Sequence, residues 1–128
     1  MFFEDFDEKF NTLIAKSADL TNKPFLHSVV KISGVYERDN EDIDLTVNIL
    51  CRDNDGKRLD IYDLELELFR SNSELVLVIS KLNFPDEPIL WNGVKTIWMN
   101  SNNGKKCSPP KYSSRLENLA TRIKNFIN

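Results

Sequence analysis

The sequence predicts an α+β domain: an antiparallel, meander-like sheet of about five strands, with an amphipathic helix at each chain end packing on one of its faces. Three observations predict it. Apolar side chains recur at steps of three and four near both ends of the chain. Between them the pattern changes to strand-like runs, most of them rich in β-branched and aromatic residues. Short turn-forming stretches separate those runs, and short connections join antiparallel neighbours.

The first helix is expected over residues 2–20. Phe3, Phe6, Phe10, Leu13, Ile14 and Leu20 fall on one face, and Glu4, Asp5, Asp7, Glu8, Lys9 and Lys16 lie between them. The early carboxylates suit the positive end of the helix dipole. Thr21-Asn22-Lys23-Pro24 ends the helix, because proline cannot continue it and restricts the residue before it.

Strands are expected within 26–36, 43–51, 58–69, 75–84 and 88–99. In 43–51, Ile43, Leu45, Val47 and Ile49 alternate with Asp44, Thr46, Asn48 and Leu50, the signature of a strand with one buried face. Asp53-Asn54-Asp55-Gly56 then marks a tight turn. The run 58–69 changes phase: Leu59 and Ile61 are odd, Leu64, Leu66 and Leu68 even. A bulge or bend near Tyr62-Asp63 restores one face. Leu75 to Ile79 is apolar on both faces, which suits a central strand or one at an interface. Phe84-Pro85-Asp86-Glu87-Pro88 breaks the ladder, and Asn92-Gly93 divides the last run into a short hairpin. Residues 100–111 are loop by composition. The last helix, 114–127, opens on the capping-box pair Ser114 and Glu117, and Leu116, Leu119, Ala120, Ile123, Phe126 and Ile127 form its apolar stripe.

A chain of 128 residues with 41% apolar side chains suits a single domain over 1–128 that buries its own core. Cys51 and Cys107 show no framework spacing and are read as free thiols in a reducing compartment. The N-terminus is acidic where a signal peptide is basic, and no apolar run has the length of a membrane span, so a cytoplasmic protein without membrane contact is expected.

Catalytic, metal and cofactor motifs are missing, and none of those roles is assigned. Asp53-Asn54-Asp55-Gly56 superficially matches a calcium loop, but Cys51 and Tyr62 occupy positions where the loop needs acids. His27 is the sole histidine, too few for a His-rich zinc site. Nothing in the sequence brings His27 to a cysteine as a nucleophile pair. Asp63, Glu65 and Glu67 alternate along one strand and form a candidate acidic face, suited to a hard cation or to acid–base chemistry.

Charge is unevenly placed. Residues 1–101 hold 11 basic and 19 acidic side chains, net −8, while residues 102–128 hold 6 basic and 1 acidic, net +5. Lys105, Lys106, Lys111 and Arg115 are therefore the candidate anion-binding set. The pI near 5.2 argues against nucleic acid as the partner. Leu75, Leu77 and Ile79, with Trp91, Trp98 and Met99, form the candidate interface, since these strands need cover. The leading expectation is a non-enzymatic protein-binding or assembly module, paired with itself as a homodimer or with another protein. The alternatives are anionic-ligand or nucleic-acid binding through the basic segment, and an enzyme or metal binder using the carboxylates.

Overall fold

The computed structural model describes residues 3–37 and 42–127, with side chains described over 10–34 and 43–127. Its elements are α1 (Phe3–Thr21), β1 (Leu26–Glu37), β2 (Asp42–Arg52), a 3₁₀ turn (Asp60–Tyr62), β3 (Leu64–Ser71), β4 (Glu74–Lys81), β5 (Ile89–Asn92), β6 (Thr96–Met99) and α2 (Ser113–Ile127). The α+β architecture with two terminal helices is as the periodicity predicts. All six strands pair antiparallel with their sequence neighbours, in the order β1-β2-β3-β4-β5-β6. The sixth strand comes from Asn92-Gly93, which divides the last run into the β5–β6 hairpin. Phe3 and Phe6 of the predicted helical stripe lie outside the residues whose side chains are described.

Register decides the faces. Leu45 and Val47 stand opposite Leu68 and Leu66, which stand opposite Leu77 and Ile79; Ile79 pairs with Leu90, and Leu90 with Trp98. These side chains share the inner face and are buried. Phe10, Ile14 and Ala18 of α1 and Leu116, Leu119, Ala120 and Ile123 of α2 complete the same core. Each fully buried Leu, Ile or Val contributes about 1.5–3 kcal/mol of transfer free energy, so this one cluster is the main source of stability.

The phase fault in 58–69 has a physical resolution. Leu59 bonds back to Cys51 (N–H to carbonyl, 2.9 Å), the chain turns through Asp60–Tyr62, and the strand proper begins at Leu64. The residues before the turn are therefore free of the strand's alternation, and Ile61 and Tyr62 are exposed. In β1 a register shift between Lys31 and Ser33 inserts one extra residue, and Gly34 follows at φ +104°.

Glu117, read from the sequence as the capping-box partner of Ser114, directs its carboxylate at the sheet. Its Oε2 accepts the indole N–H of Trp98 at 2.7 Å. A buried indole N–H needs an acceptor, so this bond fixes the helix to the last strand.

Candidate functional site

Two regions carry chemistry: a pocket at one end of the sheet, and the sheet face that the helices leave open.

The pocket forms where the C-terminus of α1, the start of β1, the end of β2, the 3₁₀ turn, the end of β4 and the first turn of α2 meet. Register explains part of this. His27 stands opposite Cys51 across β1 and β2, and Leu64 opposite Lys81 across β3 and β4, so all four cluster at one sheet end on the inner side. Phe25 and Tyr62 stack at 5.4 Å between centroids and form an aromatic wall. Tyr112 is held by two contacts: the Lys81 ammonium lies 4.0 Å above its ring, and Trp98 meets it edge-on at 6.2 Å. Asn22, Arg115 and Leu116 complete the lining of a cavity of about 100 Å³. Two of these lining residues each bury a polar atom, Asn22 Oδ1 and the Tyr112 hydroxyl, that has no hydrogen-bond partner among the described residues. Burial pushes the Tyr112 hydroxyl pKa up, with Glu87 adding to the effect, so the phenol is neutral and can donate.

His27 is anchored. Its ring is 3% exposed, and Nδ1 donates to Asp19 Oδ1 at 2.9 Å. Spatially this answers a question the sequence leaves open, because the sheet brings His27 and Cys51 to adjacent positions. Chemically the thiol is held neutral: burial raises its pKa, the nearby Asp63 raises it further, and Arg58 opposes them. A buried thiol with a raised pKa is a poor nucleophile.

Asp63 is set apart from the other two carboxylates of the predicted acidic face. It is 2% exposed, accepts the Cys51 N–H at 2.8 Å, and takes a forked pair of bonds from Arg58 at 3.1 and 2.7 Å. It is the tie that fastens the 52–63 connection to β2. Glu65 and Glu67 stand on the outer sheet face, opposite Asn48 and Ser80 and opposite Thr46 and Val78 respectively. Among the described residues, no group of three or more His, Cys, Asp or Glu converges as a metal site.

The predicted interface set divides in the same way. Leu75, Leu77, Ile79 and Trp98 are buried among the helices, so they are core and offer no surface. The reason is that α1 and α2 both cover the face toward which these residues point. Trp91 and Met99 lie on the outer face, where Trp91 packs edge-on to Phe69 at 5.7 Å over the buried Val76. The predicted basic set also separates. Lys105 and Lys106 belong to the loop that folds back to bridge Lys106 with Met99, Lys111 is exposed ahead of α2, and Arg115 lines the pocket with Lys81.

Sequence reasoning missed Asn22, Phe25, Tyr62 and Tyr112 as pocket residues. They come from the α1–β1 connection, the 3₁₀ turn and the residue before α2 and share no local motif, so only the topology unites them.

The chain matches one family over residues 11–126. It belongs to that family, described as a domain of unknown function (DUF8659). The match takes in all six strands, the C-terminal half of α1 and α2 up to Phe126, so in this DUF8659 domain the pocket and the open face both fall within the family's boundaries. No curated protein and no solved structure matches it.

Proposed function

We propose that this DUF8659 domain is a non-enzymatic protein-binding module. Its open sheet face docks a partner that presents apolar side chains flanked by lysine or arginine. The observation that supports this is the make-up of that face. Both helices pack on the inner side, and the outer side carries half-buried Leu50, Val78, Trp91 and Ile97 and the exposed Val30 around the carboxylates Asp44, Glu65 and Glu67. Apolar side chains beside same-sign charges favour a partner of opposite charge, because rim charges steer encounter and suppress wrong partners. A second copy of the chain would set these carboxylates against an equally acidic face. A catalytic use of Asp63, Glu65 and Glu67 together lacks support, since Asp63 is bound to Arg58 away from Glu65 and Glu67.

The test is photocrosslinking in the native cell from a benzoylphenylalanine at Val78, with Asn118 on the exposed side of α2 as control. A discrete adduct from Val78 alone is expected. Its purified partner should bind the unmodified domain about tenfold more tightly than E65K/E67K, a difference of about 1.4 kcal/mol. Identical adducts from both positions, or a partner indifferent to the charge reversal, would refute this function. An adduct with a second copy would reassign the face to self-assembly.

A further inference from the structure

The cavity between Phe25, Tyr62 and the first turn of α2 has the composition of a ligand site, and it is independent of the sheet-face reading. Three features coincide there. First, Asn22 Oδ1 and the Tyr112 hydroxyl are buried without a hydrogen-bond partner among the described residues, and both residues line the cavity. Native proteins pair the great majority of such atoms, so two orphans in one cavity define a place where an external group is wanted. Second, Lys81 and Arg115 line the same cavity, and neither forms a salt bridge with a described carboxylate. The nearby Asp19 is engaged by His27. The cavity also abuts the first turn of α2, where the positive end of the helix dipole favours negative charge. Third, the remaining walls are apolar: the stacked Phe25 and Tyr62, with Leu64 and Leu116.

From these we infer that the cavity binds a small organic carboxylate carrying a hydroxyl group, of about the size of lactate. The carboxylate sits between Lys81 and Arg115 and accepts a hydrogen bond from the Tyr112 hydroxyl. The ligand hydroxyl donates to Asn22 Oδ1, which can only accept. The carbon skeleton lies against Phe25, Tyr62 and Leu116. Size limits the class: about 100 Å³ is roughly the liquid volume of three waters, and less than the ~150 Å³ that admits benzene.

The experiment is a titration of the ¹⁵N-labelled domain with sodium lactate, sodium propionate and n-propylammonium chloride, followed by amide shifts. Lactate should give saturable shifts at the Asn22 side-chain amide and at the backbone amides of Phe25, Tyr62 and Leu116. Propionate, lacking the hydroxyl, should bind several-fold more weakly, and propylammonium should leave these signals unmoved. Arg115→Met, at an exposed position, and Lys81→Met should each weaken lactate about tenfold while the thermal midpoint stays within a few degrees. A ligand of about six non-hydrogen atoms at the weak end of ligand efficiencies still binds near 50 mM. Half-occupancy falls at that concentration, so a titration still linear, without curvature toward saturation, at about 500 mM would overturn the inference. So would equal shifts with propylammonium, or unchanged affinity in both variants.

Discussion

The two oxygens of Asp63 accept three donated hydrogens, one from the Cys51 backbone and two from the Arg58 guanidinium, at a site almost closed to water. Removing the acceptor strands a buried N–H. Arg58 is partly exposed and regains water, so the loss is dominated by the backbone group and the freed connection. Asp63→Ala is expected to cost about 2–3 kcal/mol, read as a lower urea midpoint at unchanged slope, and Asp63→Asn less, since an acceptor remains. Cys51 beside it makes a pH prediction. Its folded pKa is raised, chiefly by burial, so the folded state holds the thiol proton more tightly than the unfolded chain does. The stability this gives is fully present below the unfolded thiol pKa, about 8.5, and is lost as pH rises through the folded value. Urea midpoints should therefore fall on the alkaline side of about pH 8.5, and Cys51→Val should remove that part of the slope.

At the scale of elements, β1 depends on a single glycine. Gly34 has φ +104°, and a Cβ built there lies 1.9 Å from the Asp44 carbonyl oxygen on β2. Gly56 has φ +89° in the turn after β2, with open space around it. The two substitutions separate strain from collision. Gly56→Ala is expected to cost about 1 kcal/mol of left-handed backbone strain, and Gly34→Ala about 3 kcal/mol or more with faster hydrogen exchange along β1 and β2. Elements were also the level at which the sequence was most readable. Alternation placed β2 to within a residue at each end, and the odd-to-even change of phase located the irregularity before Leu64. Glu117 was harder to read, because a capping box and a cross-element bond use the same residue type. The pocket was unreadable for a related reason: Asn22, Phe25, Tyr62, Lys81 and Tyr112 are brought together by β pairing and helix docking over long sequence separations.

For the whole molecule, the deciding fact is that one cluster joins everything. Ile14 of α1 and Leu119 of α2 are both buried in the same core as Val47, Leu66 and Leu77. A helix whose apolar stripe forms part of a shared core cannot leave without exposing the sheet beneath it. Unfolding is therefore expected as one transition, with far-ultraviolet circular dichroism and tryptophan fluorescence coincident. Trp98 reports the inner face and Trp91 the outer, so the fluorescence samples both sides of the sheet. Ile14→Ala and Leu119→Ala should each remove about 2–5 kcal/mol, the range for a buried aliphatic side chain that leaves a cavity. Both should lower that same single transition, whereas Val94→Ala, at a site 82% exposed, should stay within about 0.5 kcal/mol. If Ile14→Ala instead separates an early loss of helix signal from a later change in fluorescence, α1 docks as an independent unit and the shared core does not enforce cooperativity. Coincident, shifted curves in both variants would show that the two ends of the chain, far apart in sequence, are stabilised by the same set of contacts.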